Sequence, residues 1–214
     1  MDTQSVQKKG KIMEPTILAP AIYQYELPEK LAKNIVDMTS QLLDEEWVKS
    51  GISHSNDTEQ EIRTSQTIDF GQRLPFWNDE IRRHSVPAII DYANKHQEPI
   101  PAQDEGFNLL RYKASNKYDF HSDGCWNTYR TISCIIYLNP SEYEGGETHF
   151  KHFDLKLKPE KPSIIVFPSN YAYLHAAMPV TSGEKFVLVT WMSDLPQGLN
   201  PGSFYDICRV MGKV

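Results

Sequence analysis

The chain of 214 residues contains few cysteines, has no excess of positive charge and has no long apolar run. Its three cysteines, Cys125, Cys134 and Cys208, are too few and odd in number for a disulfide framework. The formal net charge of -6 argues against a protein held on nucleic acid by bulk electrostatics. No apolar run approaches the roughly 20 residues that a membrane helix requires. We therefore expect neither a nucleic-acid partner nor a membrane partner.

The beginning of the chain also lacks the apolar block of a secretory signal, because residues 1–15 are polar and carry several lysines. We interpret residues 1–15 as a flexible tail and expect the reducing cytoplasm as the compartment. The remaining residues, 16–214, are enough for one domain with a sizeable core and few for two domains.

Residues 16–100 are expected to supply helical support. A helix is predicted from Pro28, because apolar residues recur after it at helical spacing. A second helical region, Trp77–Asn94, is expected to be broken into two pieces by Pro87. Between them the polar stretch Asp44–Ser65 is predicted to be a long loop, which is either a lid over a site or a plain surface loop.

After Pro101 the sequence changes to short segments rich in β-branched and aromatic residues, separated by turn signals. Strands that follow helices predict an α+β or mainly β fold. Closely spaced strands with polar residues at their ends fit a jelly roll, or double-stranded β-helix, over about residues 101–194. The expected strands are 107–112, 131–138, 147–150, 163–167, 172–175 and 186–191.

One set of polar residues in this region has the spacing of a metal site. His121 and Asp123 are two residues apart, so on an extended strand both side chains would point to the same face. His175 would then come from another strand. Two imidazoles and one carboxylate are a ligand set typical of non-haem Fe(II) oxygenases, because they leave coordination positions open. Lys185, ten residues after His175, would supply a positive charge for a dicarboxylate co-substrate.

The other histidines have a simpler interpretation, since a single histidine is more often a surface or hydrogen-bonded residue than a metal ligand. An alternative metal pair, Glu147 and His149, would place two possible ligands on one strand face. Lys151 stands two residues after His149 and is a poor neighbour for a cation, so this pair is the weaker hypothesis. The histidines interpreted in this simpler way are His54, His84, His96, His149 and His152.

The ordered motifs resemble the Fe(II)/2-oxoglutarate-dependent prolyl 4-hydroxylase family. The resemblance extends from about Leu109 to Asp194, some four-tenths of the chain. A His-x-Asp pair alone is weak, whereas the ordered set is specific. The segments that carry the resemblance are Tyr118–Asp123, Arg130–Asn139, Glu144–Phe150, His175–Val180, Gly183–Lys185 and Val189–Trp191.

The resemblance implies an enzyme that uses Fe(II), 2-oxoglutarate and O₂, with ascorbate as a reductant. His121, Asp123 and His175 would be the iron ligands, and Lys185 would bind the distal carboxylate of 2-oxoglutarate. It implies no side-chain nucleophile or general base beyond the metal ligands. The retained carboxylate at Asp123 favours hydroxylation over halogenation, because related halogenases carry a small residue there.

Three further residues match positions that line the 2-oxoglutarate pocket in this family. Tyr112 matches a tyrosine that hydrogen-bonds the co-substrate, and the hydroxyls of Tyr137 and Thr148 could join Lys185 at the distal carboxylate. Each also has a packing interpretation, because tyrosine and threonine are common in strands. Trp191 is interpreted as a core aromatic residue behind the site.

The substrate that the resemblance implies is a prolyl residue in a peptide or protein. Trp126, Tyr129 and Arg130 follow the predicted iron-binding turn and are candidates for a substrate groove, although each could equally be a surface or packing residue. Two alternatives stay open: the same chemistry on a free amino acid or other small molecule, and a jelly-roll binding protein without catalytic activity.

Overall fold

The computed structural model describes residues 14–51, 62–98, 101, 103–124 and 129–193. Trp126, His54 and most of the predicted tail lie outside the described residues. The helices in the described part of the chain are α1 (Glu29–Thr39), α2 (Phe70–Arg73) and α3 (Pro75–Lys95), with short 3-10 turns at Asp44–Glu46, Lys151–Phe153 and Tyr171–Tyr173.

Strands make up most of the rest of the described chain. They are β1 (Thr16–Ala19), β2 (Ile22–Glu26), β3 (Val48–Lys49), β4 (Gln66–Asp69), β5 (Gln103–Asp104), β6 (Asn108–Tyr112), β7 (Tyr118–His121), β8 (Arg130–Tyr137), β9 (Tyr143–Gly145), β10 (Thr148–Phe150), β11 (Leu155–Leu157), β12 (Ser163–Pro168), β13 (His175–Ala177), β14 (Val180–Gly183) and β15 (Lys185–Ser193).

The larger sheet has the strand order β1-β2-β12-β8-β15-β6-β4-β3, and β5 pairs with one end of β15. Its central strands β8 and β15 are rich in isoleucine, valine and aromatic residues and are largely buried. Such residues favour a strand that packs on both of its faces. The strands pair antiparallel, with Leu188 opposite Ile136 on one side and Leu109 on the other.

A smaller sheet with the order β11-β10-β13-β7 faces the larger one, and β9 pairs with β14. One apolar cluster fills the space between the sheets and includes Tyr137, Phe150 and Phe167. A second cluster lies between the other face of the larger sheet and the helices, where Ile35 and Ile81 are fully buried. Two facing antiparallel sheets with helices on one outer face confirm the predicted double-stranded β-helix and its helical support.

Helix α3 contradicts the expected break at Pro87, because it continues unbroken from Pro75 to Lys95 with Pro87 inside it. An internal proline removes one backbone hydrogen bond and crowds the preceding turn. Pro87 lies on the exposed face of the helix. The opposite face buries Ile81, Ala88 and Tyr92 against the sheet, and this packing holds the two halves of the helix together.

The N-terminal segment is also less helical than expected, since β1, β2 and β4 join the larger sheet. Strand β2 pairs with β12, with Tyr23 opposite Val166. The predicted long loop at Asp44–Ser65 is wrong at its start, where a 3-10 turn leads into β3 and Val48 pairs with Thr67 of β4. Strands this short lack the alternation by which sequence patterns detect them.

The strand expected at 172–175 is displaced, because the chain forms a 3-10 turn at Tyr171–Tyr173 before β13 begins at His175. The Asn170 side chain accepts a hydrogen bond from the backbone of Ala172 and caps this turn. None of the described helices is long and apolar enough to cross a membrane.

Candidate metal centre

A cavity of about 370 Å³ opens between the two sheets and contains the predicted site. Its walls come from β6, β8 and β15 of the larger sheet and from β7, β10 and β13 of the smaller one. His121, Asp123, His175 and Lys185 all line it. The sheets therefore bring four residues that span 65 positions of sequence to one enclosed space.

The three expected metal ligands meet at one end of the smaller sheet. Strands β7 and β13 pair antiparallel with His121 directly opposite His175. Asp123 lies in a bend two residues beyond β7 rather than on the strand itself. One ligand atom from each of the three side chains lies within 4.8 Å of the others. Among the described residues this is the one group of histidine, cysteine or acidic side chains with that geometry.

Backbone carbonyl groups orient both imidazole rings. His121 Nδ1 lies 2.8 Å from the carbonyl oxygen of Asp119, and His175 Nδ1 lies 3.0 Å from that of Tyr173. A carbonyl can only accept, so each Nδ1 carries the hydrogen and each Nε2 keeps its lone pair. The Nε2 atoms point toward Asp123, at 3.5 Å from its Oδ1 for His121 and 3.6 Å from its Oδ2 for His175. This arrangement fixes the tautomer that a metal requires.

The charges of the cluster also suit a metal. Burial alone would raise the pKa of Asp123, but His175, His121 and a hydrogen bond from Ser133 hold it well below its usual range. Burial, together with the neighbouring His121, lowers the pKa of His175 to about 4. An ionised carboxylate and a neutral imidazole are the protonation states in which these groups bind a divalent cation. The donor set therefore fits Fe(II) or a similar metal.

Lys185 starts β15 and is 2% exposed, deep in the same cavity. Its ammonium donates a hydrogen bond to the carbonyl oxygen of Gly146 at 2.7 Å and lies 5.3 Å from the ring centre of Tyr112. Burial lowers the pKa of Lys185 to about 7, against the opposing influence of Glu147. A buried amine of this kind gains strongly from a carboxylate that enters beside it.

The three residues expected to line the 2-oxoglutarate pocket, Tyr112, Tyr137 and Thr148, are all buried. Tyr112 pairs with Lys185 across β6 and β15 and is buried in the cavity wall. Tyr137 has its ring centre 5.0 Å from the ammonium, and its hydroxyl is hydrogen-bonded to that of Thr148. Thr148 lines the cavity. Burial raises the pKa of both tyrosines, so both keep a proton that they can donate.

Of the expected substrate residues, Arg130 lines the cavity and Tyr129 precedes it with a φ of 51°. The Arg130 guanidinium makes a two-pronged ion pair with Glu105 and lies 3.8 Å from the ring centre of Trp191. Trp191 is half-buried, packs against the apolar cluster between the sheets and also lines the cavity. Its position on β15 gives it the same face as Lys185, since side chains alternate along a strand.

Several residues of the cavity wall were missed by sequence reasoning. Arg63, Thr67 and Asn108 line it from segments whose pairing the sequence did not predict. Ser133 was also missed, although a detectable signal marks it. A serine inside the apolar run Ile132–Tyr137 places a hydroxyl where burial requires a hydrogen-bond partner.

The alternative pair of Glu147 and His149 does not form a metal cluster with any third described side chain. The ring of His149 packs against Phe120, with ring centres 5.2 Å apart. His96 likewise packs against Tyr23 and Tyr92. Both histidines are therefore packed against aromatic rings, whereas a surface or hydrogen-bonded role was expected; Nε2 of each is buried without a hydrogen-bond partner among the described residues.

Comparison with known proteins agrees with this geometry. Residues 107–193 match the family model of the 2OG-Fe(II) oxygenase superfamily. The chain is 34% identical over 122 residues to a probable prolyl 4-hydroxylase 9 of Arabidopsis thaliana, covering 44% of this chain and 42% of that protein. The chain spans about half the length of such curated relatives, from 42% to 61%.

Two solved structures share the fold. A viral collagen prolyl hydroxylase from Paramecium Bursaria Chlorella virus-1 superposes with a TM-score of 0.61 at 24% identity, covering 82% of this chain and 97% of that one. A Trichoplax adhaerens prolyl hydroxylase, solved with a peptide fragment of a hypoxia inducible factor, gives 0.69 at 14% identity, covering 81% and 84%. These structures share their fold with more than four-fifths of this chain.

Proposed function

We propose that the chain is a prolyl 4-hydroxylase of the 2OG-Fe(II) oxygenase superfamily, and that it hydroxylates a prolyl residue in a peptide or protein. The family match over residues 107–193 and the likeness to a probable prolyl 4-hydroxylase support this proposal. Decarboxylation of 2-oxoglutarate to succinate would accompany the hydroxylation. The observation that carries the proposal is the convergence of His121, Asp123 and His175 in one cavity with the buried Lys185.

His121, Asp123 and His175 would hold Fe(II) through two Nε2 atoms and one carboxylate oxygen. When bound, the metal would supply the activation of O₂ that couples decarboxylation of 2-oxoglutarate to hydroxylation of a carbon–hydrogen bond. The backbone carbonyls of Asp119 and Tyr173 keep both imidazole rings in the binding tautomer.

Lys185 would bind the distal carboxylate of 2-oxoglutarate as its ammonium turns from the carbonyl of Gly146 toward the incoming anion. Tyr112 and Thr148 line the same cavity as Lys185, and their hydroxyls would donate hydrogen bonds to the co-substrate. The depth of this end, where Lys185 is 2% exposed, keeps water away from the carboxylate and strengthens the ion pair.

The substrate would enter at the other end of the cavity, which Trp191 and Arg130 line, with Tyr129 next to Arg130 in sequence. An aromatic ring beside a cationic donor suits proline-containing segments, whose extended backbone is ordered before binding. The two related structures are named as a collagen prolyl hydroxylase and as a prolyl hydroxylase bound to a peptide, which supports a peptide or protein over a free amino acid.

The test is to incubate the protein with Fe(II), 2-oxoglutarate, ascorbate and O₂, with a set of proline-containing peptides or with free proline. The proposal expects Fe(II)-dependent succinate release and the mass gain of one oxygen atom on a prolyl residue of a peptide. Oxidation of free proline alone would favour the small-molecule alternative. Absence of Fe(II)-dependent succinate with every substrate would favour a binding protein without catalytic activity.

A further inference from the structure

We propose that the hydroxyl groups of Ser169 and Ser133 form a relay that positions the Asp123 carboxylate for its metal. The relay would make both serines positioning residues that contact neither metal nor substrate. This inference rests on the proposed metal site and adds to it two residues to which the sequence analysis assigned no role.

The three groups lie in sequence along one buried line. The Ser133 hydroxyl is 2.7 Å from Oδ2 of Asp123, and the Ser169 hydroxyl is 2.8 Å from that of Ser133. Ser133 and Ser169 are each 1% exposed, and Asp123 is 9% exposed. Hydroxyl groups buried this deeply need protein partners, because water does not reach them.

The number of protons fixes the direction of the relay. Each hydroxyl has one hydrogen to donate, and an ionised carboxylate can only accept. Ser133 therefore uses its hydrogen for Asp123 and must receive one from Ser169. Such a chain polarises along its length, so the Ser133–Asp123 bond is stronger than an isolated one.

The backbone of Ser169 also makes hydrogen bonds to the turn that carries Asp123. Its carbonyl oxygen accepts hydrogen bonds from the amide of Gly124 at 2.7 Å and from the hydroxyl of Ser122 at 3.0 Å. Its amide donates to the carbonyl of Thr131 on β8 at 3.0 Å. A Cβ on Gly124 would lie only 2.9 Å from the Ser169 oxygen, so this close approach requires glycine. Ser169 thus holds both the turn that carries Asp123 and the strand that carries Ser133.

This connection matters because Asp123 lies beyond the end of β7 and has no ladder of strand hydrogen bonds to hold it. The relay engages Oδ2, which also lies 3.6 Å from Nε2 of His175, while Oδ1 lies 3.5 Å from Nε2 of His121. A hydroxyl bonded to Oδ2 restrains rotation of the carboxylate, so it would hold Asp123 in the position between the two imidazoles that a metal requires.

Metal binding by the metal-free 214-residue chain provides the test, with Co(II) as the probe. We expect Ser133→Ala to weaken Co(II) binding about 10- to 100-fold, the usual effect of losing a hydrogen bond to a ligand. It should also shift the visible absorption of bound Co(II), which reports the ligand field. Ser169→Ala should weaken binding less, and Ser133→Thr, which keeps the hydroxyl, should restore both affinity and spectrum.

The matched control is Ser85→Ala, which removes a serine hydroxyl of equal burial from helix α3, far along the chain from the site. We expect it to leave Co(II) binding within about twofold of wild type. Circular dichroism of each metal-free variant establishes that it is folded. If Ser133→Ala does not fold, the Co(II) affinity of Ser169→Ala is compared with that of Ser85→Ala. Weaker binding in Ser169→Ala alone supports the relay, and equal binding in the two variants refutes it.

Asp123→Ala separates failure of the relay from failure of the metal site. If Asp123→Ala loses Co(II) binding while folded Ser133→Ala and Ser169→Ala bind like wild type, the relay is refuted and the metal site stands. If Asp123→Ala also binds Co(II) like wild type, the metal site itself is refuted and the relay with it. Equal weakening in Ser85→Ala would likewise overturn the relay.

Discussion

The two faces of the larger sheet differ in what they contact: one face packs against the helices, and the other lines the cavity. Along β15, Phe186, Leu188 and Met192 pack toward the helices, whereas Lys185 and Trp191 face the cavity. Neighbouring residues of one strand therefore lie in an apolar core and in a polar site. The helix-facing side stabilises the fold, and the cavity-facing side carries buried charge that the fold must support.

Strand β8 shows the same division. Ile132, Cys134 and Ile136 belong to the helix-facing cluster, while Ser133 and Tyr137 face the other sheet. On this face Ser133 is hydrogen-bonded to Asp123 and Tyr137 to Thr148, as buried hydroxyl groups require. The comparison predicts that substitutions on one face change stability and those on the other change chemistry.

The largest effect is expected for Asp123→Ala, which removes an ionised ligand from the cavity. Turnover of 2-oxoglutarate should fall on the order of a thousandfold or more, because two imidazoles hold a metal more weakly and without charge compensation. Fe(II)-dependent succinate release measures it. Asp119→Ala is the control, since Asp119 keeps its backbone carbonyl to His121. Near-normal turnover in Asp123→Ala would refute the site.

The next effect is expected for Lys185→Ala. Loss of a buried ion pair costs about 2–5 kcal/mol, so KM for 2-oxoglutarate should rise from roughly 30-fold to a few thousandfold, with a smaller change in kcat. Steady-state kinetics with varied 2-oxoglutarate provides the measurement. The exposed Lys151→Ala serves as control. A lowered kcat with unchanged KM would assign Lys185 a role other than binding the co-substrate.

On the opposite face, Leu188→Ala should act on stability alone. Leu188 is fully buried in the helix-facing cluster, and truncation of such a leucine costs about 2–5 kcal/mol of unfolding free energy. Urea denaturation of the metal-free protein measures this loss. Co(II) affinity of the folded variant should stay within about twofold of wild type. A parallel loss of metal affinity would mean that the two faces are coupled.

The smallest effect concerns pH. Burial lowers the pKa of Lys185 from 10.5 to about 7, and a bound carboxylate would raise it again. Without co-substrate, Lys185 is therefore protonated below about pH 7 and neutral above about pH 7. Above that pH, binding of 2-oxoglutarate requires Lys185 to take up a proton. Affinity should therefore fall by at most about tenfold per pH unit above 7. Calorimetry with the Mn(II)-loaded protein measures both affinity and proton uptake.

The same lowered pKa has the opposite consequence for the fold without co-substrate. Below about pH 7 the buried ammonium is charged and destabilises the folded state. Between about pH 7 and 10.5 the folded protein holds a neutral amine while the unfolded chain binds the proton, so this group's penalty declines as pH rises. Lys185→Met should remove that part of the pH dependence in urea denaturation.

Much of the candidate site could be predicted from the sequence because its residues stand at fixed offsets beside strongly β-prone segments. His121, Asp123, His175 and Lys185 have this property. Ser169 does not, since a serine in the polar turn Pro168–Asn170 resembles any loop residue. The role of Ser169 depends on its contacts with strand β8 and with the turn that carries Asp123. The sequence around Ser169 does not predict these contacts, because the contacting residues are distant along the chain.

The sequence by itself determined the residue types and the alternation of β8 and β15, because burial on two faces selects the side chains of each strand directly. Tertiary structure alone decided the course of α3 through Pro87, the pairing of β1, β2 and β4, and the approach of Ser169 to Asp123. In each of these cases packing between distant segments outweighs the local preference, and contacts between distant segments arise only when the whole chain folds.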